Sequence, residues 1–247
     1  MTIELRARTI LVTGGSSGVG LELVRALHAR GNRLLVVARS REKLERLRAQ
    51  YPGIIIYPCG IAHRSAVEAL CDSVLKEYPD LSVVFNNAAV QFTAEFLSDQ
   101  FEFDHIEYEV RTNFLAPLWI TALLLPAMKT YQGDAAIINI GSGLGMYPKK
   151  SSAVYCATKA AIHSISQSIN YQLAGTNVRV VEAILPLVDT PMTAGRGSAK
   201  ISPSKVVDAI VAGVEQGKRE IFIGKARLLP ILSRLSPGFA KSVMRRM

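Results

Sequence analysis

The stretch Ile10-Leu11-Val12-Thr13-Gly14-Gly15-Ser16-Ser17-Gly18-Val19-Gly20 decides the fold. Three apolar residues read as a short buried strand and the glycines as a tight turn; the apolar spacing of Leu21, Leu23, Val24 and Leu27, ending at Gly31, reads as an amphipathic helix. Glycines in such a turn let the backbone bend sharply and approach a pyrophosphate, while the helix N-terminus offers unpaired N–H groups and a partial positive charge. The implied ligand is a dinucleotide, cradled by Gly14, Ser16, Ser17, Gly18, Val19 and Gly20.

Outward from this turn the alternation continues. Leu34-Leu35-Val36-Val37, Ile54-Ile55-Ile56-Tyr57, Leu81-Ser82-Val83-Val84-Phe85, Ala135-Ala136-Ile137-Ile138-Asn139-Ile140, Val178-Arg179-Val180-Val181-Glu182-Ala183-Ile184 and Glu220-Ile221-Phe222-Ile223 read as further strands. Helical patterns over residues 42–50, 65–78, 107–130, 153–173 and 203–216 separate them, and Pro117 predicts a kink in the longest. Strands alternating with helices define an α/β fold: a doubly wound Rossmann type, with a seven-stranded mostly parallel sheet and helices on both faces. Residues 1–224 make one domain, including a substrate loop at about 190–203 whose part at 192–200 carries two glycines and reads as mobile. Its ligand belongs at the carboxyl edge of the sheet.

Composition narrows the function. With 247 residues, 49% hydrophobic and 20% charged, the chain can bury a sizeable core without low-complexity tracts. Its apolar runs are shorter than the roughly 18 residues that a spanning helix needs, and residues 1–9 lack an apolar signal core, so the expected location is cytoplasmic. Cys59, Cys71 and Cys156 are unclustered, and the four histidines show no ligand spacing, so no disulfide framework and no metal is implied. The net charge of +9 is uneven: residues 221–247 carry six basic side chains and no acid. That tail, 225–247, is basic and partly apolar, suited to packing over the site, to a partner subunit or to a membrane surface. It lacks the aromatic interleaving of a nucleic-acid module.

Several residues at the expected carboxyl edge carry chemistry. The second strand ends at Ala38-Arg39, where an Asp or Glu would bind a ribose 2′-hydroxyl; an Arg there suits a 2′-phosphate, so NADP(H) is preferred and NAD(H) remains possible. Asn86-Asn87-Ala88 follows the fourth strand and suits a binding or strand-bridging role. Tyr155 and Lys159 stand four apart on a helix and so share a face. A neighbouring cation favours the phenolate. Bringing a phenol from about 10 to about 7 takes roughly 4 kcal/mol, within reach of one ammonium plus a cationic nicotinamide ring. The segments 91–105 and 192–200 should shape the substrate pocket, with no charged clamp that names a ligand class.

The order T-G-x-x-x-G-x-G at 13–20, N-N-A at 86–88, Asn113, Ser142 and Tyr155-x-x-x-Lys159 resembles the short-chain dehydrogenase/reductase family over about residues 7–224. Around residues 13–23 and 154–163 the wording is most similar to bacterial DltE-type oxidoreductases of that family. The resemblance implies hydride transfer between a nicotinamide cofactor and a carbonyl or secondary alcohol. In it Tyr155 is the general acid or base, Lys159 lowers its pKa and binds the nicotinamide ribose, Ser142 polarises the carbonyl and Asn113 holds a water linking Lys159 to solvent. It further implies that Asn87, Ala88, Pro186, Val188 and Thr190 contact the cofactor, and that the chain forms a homodimer or homotetramer through its two long helices.

Three departures stand out: Ala89 replaces the glycine of N-N-A-G, Cys59-Gly60-Ile61 lacks the adenine-side Asp, and Pro186-Leu187 replaces Pro-Gly. The alternative functions are a catalytically silent NADP-binding sensor or scaffold and, further off, a sugar-nucleotide epimerase or dehydratase.

Overall fold

The computed structural model describes residues 2–198 and 200–230. Its seven strands form one sheet in the order β3-β2-β1-β4-β5-β6-β7. They are β1 (Thr9–Thr13), β2 (Arg33–Ala38), β3 (Ile55–Pro58), β4 (Leu81–Asn86), β5 (Ala135–Ser142), β6 (Val178–Leu185) and β7 (Glu220–Phe222). Every pairing is parallel, for example Leu11 opposite Leu35 and Val84 opposite Ile137. The chain reverses its winding direction between β1 and β4, and such a switch point opens a crevice at the strands' carboxyl ends.

Side chains alternate across the sheet, so each strand feeds two cores. Ile10 and Val12 of β1, with Phe85 and Ile138, pack on one face beneath α1 (Gly18–His28), α2 (Arg41–Gln50) and α7 (Pro203–Glu215). Leu11, Val84 and Ile137 point the other way, toward α3 (Arg64–Glu77), α5 (Ala116–Thr130) and α6 (Ala153–Gln172). Ser40 and Ser202 cap α2 and α7 by accepting the Lys43 and Lys205 N–H groups.

The long helix differs from the sequence reading. It begins earlier, with α4 (Phe103–Val110), passes through a π turn at Arg111–Leu115 and continues as α5. The irregularity therefore falls a turn ahead of Pro117, which sits at the start of α5. The Ala116 N–H reaches back five residues to Arg111 O, and Pro117 has no N–H to offer Asn113 O. The run Phe103–Thr130 is long and apolar enough by composition to cross a membrane. Ala116, Ile120, Leu124 and Met128 are nevertheless packed in the core against α3 and the sheet, so α5 serves as a core helix.

The start of the basic tail folds back. Gly224–Leu228 forms a 3-10 turn, and Leu229 presses on Gly143, where an added Cβ would meet its Cδ1 at 2.8 Å. Residues 231–247, and with them most of the tail on which the membrane-surface expectation rests, lie outside the described residues.

Candidate active site

A cleft of about 1650 Å³ lies along the carboxyl ends of the strands, larger than the roughly 300–1,000 Å³ of a single-ligand pocket. Its floor is the glycine turn. Gly14 and Gly18 take left-handed φ values of +68° and +55°, and a Cβ on Gly20 would sit 2.2 Å from Gly14 O. Bare backbone is the condition for this bend and for close approach to a ligand. Ser17 occupies the N-cap of α1 without capping it through its side chain, so the first N–H groups of α1 face the cleft end of the turn. Anion chemistry fits such a terminus.

The turn is strapped to β4. Thr13 Oγ1 donates to Phe85 O at 3.2 Å and accepts from Asn87 N and Ala88 N at 3.0 and 3.1 Å. Asn87 Nδ2 donates to Thr13 O at 2.9 Å. Asn86 bridges strands instead, donating to Asn139 Oδ1 at 2.9 Å, while Asn139 donates to Ser166 Oγ on α6 at 2.9 Å. Of the two roles expected for the asparagine pair, the strand-bridging one is thus carried by Asn86, while Asn87 ties the turn to the end of β4.

Ser16, Ser17, Val19, Ala88, Pro186, Val188 and Thr190 line the same cleft. Thr190 closes toward the turn, since a Cβ on Gly18 would lie 3.2 Å from its Cγ2. Arg39 stands just beyond β2, with its Nη1 donating to Tyr108 Oη and its guanidinium 5.8 Å from the Tyr108 ring centroid. Ala89, Cys59 and Leu187, one from each of the three sequence departures, all line the cleft, and Leu187 also packs on Gly197, where a Cβ would meet its Cδ2 at 2.6 Å.

Ser142, Tyr155 and Lys159 meet in this cleft. Ser142 ends β5, and its Oγ accepts the Leu144 N–H at 3.2 Å while hydrogen-bonded to Tyr155. Entry into α6 goes through Ser152, whose φ of +69° turns the chain so that Tyr155 and Lys159 face β5. Lys159 is 4% exposed; its Nζ donates to Ile140 O at 2.7 Å and lies 5.6 Å from the Tyr155 ring centroid. Burial holds this ammonium down to about 8, with the Glu182 and Glu109 carboxylates pulling the other way.

Without the charge of a cofactor, the phenol lies above its ordinary range. Burial, the largest influence, pushes Tyr155 up to about 12, against a lowering hydrogen bond from Ser142. Lys159 is turned to a backbone carbonyl and is itself desolvated, so within the protein its field does not bring the phenol toward 7.

Asn113 is 1% exposed, and its side chain is fully engaged: Oδ1 accepts from Val90 N at 2.8 Å and Nδ2 donates to Val90 O at 2.8 Å. A water held by this residue would have to use its main-chain oxygen, which Pro117 deprives of the ordinary α-helical donor.

Several groups here escaped the sequence reading. Glu109, one helical turn before Asn113, is 2% exposed, accepts the Phe92 N–H at 3.3 Å and is pushed up to about 7 by burial. Glu182, also 2% exposed, lies against Gly141, where a Cβ would meet its Oε1 at 2.1 Å. His163 Nδ1 stands 2.6 Å from Glu182 Oε2, and this contact raises the imidazole above its ordinary value. His163 follows Lys159 by four residues, a helical spacing visible in sequence; its partner on β6 is not. Lys149 and Arg196 also line the cleft; Arg196 belongs to the segment 192–200 expected to shape the pocket, and Lys149 lies outside both expected segments. Among the described residues lining this cleft, every charged side chain is a cation.

The chain has relatives that match this arrangement. The family profile described as short chain dehydrogenase matches residues 8–200. The uncharacterized oxidoreductase DltE of Bacillus subtilis (strain 168) is 38% identical over 225 residues, covering 89% of each chain. A crystal structure of a short chain dehydrogenase from Burkholderia cenocepacia J2315 in complex with NADP superposes with a TM-score of 0.88 at 24% identity, over 98% of this chain and 99% of that one. A short-chain dehydrogenase from Sphingobium yanoikuyae in complex with NADPH gives 0.80 at 26% identity, over 94% of each chain.

Proposed function

The chain belongs to the short-chain dehydrogenase family of oxidoreductases, and from that premise we propose that it interconverts a carbonyl compound and a secondary alcohol with NADPH as the preferred cofactor. The observation that carries this reading is the meeting of Ser142, Tyr155 and Lys159 in the cleft that also holds the glycine turn.

The residues present fit a dinucleotide. Gly14, Ser16, Ser17, Gly18, Val19 and Gly20 would hold its pyrophosphate, and Arg39 a 2′-phosphate at the end of β2, where no carboxylate stands to repel one. Asn87, Ala88, Pro186, Val188 and Thr190 would border its nicotinamide half. A bound nicotinamide supplies or takes up the hydride and, when oxidised, adds a positive charge beside the phenol.

The protein's own task is the proton. In reduction Tyr155 Oη gives its proton to the developing alkoxide while Ser142 Oγ donates a second hydrogen bond to the same oxygen; in oxidation Tyr155 takes the proton back. Such general acid help is worth about 10² to 10⁴ in rate. Lys159, with a pKa of about 8, carries its charge at pH 7 and stabilises the phenolate. Its proton is replaced past the main-chain oxygen of Asn113.

A panel of ketones and secondary alcohols, assayed with NADPH, NADH and their oxidised forms at the nicotinamide absorbance band, tests the proposal. Turnover of a panel member, more efficient with the phosphorylated cofactor, is expected. Tight NADPH binding with no turnover across the panel would favour the silent sensor instead.

A further inference from the structure

The cationic lining extends past what a dinucleotide requires. Arg39 and Lys159 have cofactor roles in the reading above, and Lys200 is engaged by Thr193 O at 2.7 Å and Asp189 at 3.6 Å. Four more cations line the cleft: Lys205 on α7, Lys225 in the turn after β7, and Lys149 and Arg196, of which Arg196 acts on Tyr155 and Lys149 on the next residue, Cys156. Arg196 is fixed in place: its Nη1 donates to Gln91 Oε1 at 2.7 Å and its Nη2 to Met192 O, so it ties the substrate loop to the segment after β4. Both partners are neutral. Lys149 is half-buried in the loop between β5 and α6, and among the described residues neither cation has a carboxylate partner.

The two cations are close enough to feel each other, and Arg196 is close enough to Tyr155 to act on it. Lys149 is held below its ordinary value first by burial and then by the Arg196 guanidinium, and Arg196 lowers the Tyr155 phenol. Two like charges set side by side and partly stripped of water work against folding unless an anion offsets them. Gln91, Thr93 and Ser151 line the same cleft with neutral polar groups. Among the described residues lining the cleft no acid offsets this charge, which leaves that part to an anionic ligand.

We propose that the substrate carries an anionic group, a carboxylate or a phosphate, seated between Lys149 and Arg196 beside Tyr155. The assignment rests on the reading of this cleft as the oxidoreductase site and narrows its substrate class to oxo acids and hydroxy acids or their phosphate counterparts. Arg196 presents a planar fork that takes two oxygens of such a group, and Lys149 adds a point charge. The neighbouring hydroxyl or carbonyl of the same molecule is then left to Tyr155 and Ser142.

The test is calorimetric titration of NADP⁺-saturated protein with three probes: 3-hydroxybutanoate, glycerol 3-phosphate and neutral 1,3-butanediol. At least one anionic probe should bind ten times or more tighter than the diol, and which one does so identifies carboxylate or phosphate. Arg196→Gln and Lys149→Gln should each weaken that anion by about 10- to 100-fold, the range of a charge-assisted hydrogen bond. The remote surface variant Lys129→Gln should not, and NADPH affinity should persist in all three as proof of folding. Equal binding of diol and anions, or anion affinity indifferent to both substitutions, overturns the proposal. Binding that obeys these expectations in a protein that turns over no carbonyl would keep the anion site and remove the catalytic reading.

Discussion

Lys159 lets the energetics of the site be measured apart from its chemistry. Its pKa falls from the ordinary 10.5 to about 8 in the folded protein because burial disfavours the charged form. The sign follows directly. Above 10.5 the side chain is neutral in both states and nothing is lost; as pH falls toward 8 the unfolded chain takes up the proton first, and stability is lost until the folded state follows. The cost is about 3 kcal/mol at pH 8 and roughly half that at pH 9.5. The three thiols, which burial raises above their ordinary 9.0, and Lys149, which burial lowers, also titrate across this window, but they do so alike in wild type and in a Lys159 variant and cancel in the comparison; Glu109 lies at about 7, and Tyr57 and Tyr155, both near 12, begin to matter only above the phenol's ordinary 10. Lys159→Met removes the ionisation and also the bond to Ile140 O, but the second loss is the same at every pH. Urea unfolding without cofactor, followed by the fluorescence of the single tryptophan, Trp119, should therefore show wild type gaining about 1–2 kcal/mol on the variant between pH 8 and pH 9.5. Parallel profiles would refute the placement of a charged lysine in a desolvated site.

Further outcomes concern the cleft and the buried acid Glu109 near it. Arg39→Ala should raise the KM for NADPH by about 10- to 100-fold while barely changing that for NADH, since a charge-assisted contact to phosphate is lost. Gly20→Ala drives a methyl to 2.2 Å from Gly14 O, which should cost about 1–3 kcal/mol in unfolding experiments and abolish NADPH fluorescence binding. Gly31→Ala, at a φ of +73° with open space around it, should lose about 1–2 kcal/mol and bind NADPH normally. Glu109, raised from 4.5 to about 7, favours the folded state in its neutral form. Wild type should thus lose stability relative to Glu109→Gln as pH rises from 4.5 to 7, read by urea midpoints at pH 5 and 7.

The parts legible in sequence are those encoded over short distances. Apolar runs such as Ile10-Leu11-Val12, bounded by glycines, produced the strands and the turn, and the i, i+4 spacing of Tyr155 and Lys159 placed both on one helix face. What escaped depends on partners distant in the chain. Arg196 meets Gln91 across 105 positions, and Glu182 reaches His163 only because β6 lies beside β5 under α6. The π turn depends on how the missing Pro117 donor is absorbed once the helix is packed, which favours relief one turn earlier over a bend at the proline. The burial that raises the Tyr155 phenol was not legible, because charge neighbours can be counted in a sequence whereas burial cannot.

The most direct test of the central claim is a single-turnover measurement of NADPH oxidation with a carbonyl substrate drawn from the panel, comparing wild type with Tyr155→Phe. The substitution removes one hydroxyl and leaves the ring beside Lys159. The rate should fall by at least about 10², while NADPH binds with unchanged affinity. A Phe variant that oxidises NADPH as fast as wild type would contradict the assignment of Tyr155 as the proton donor.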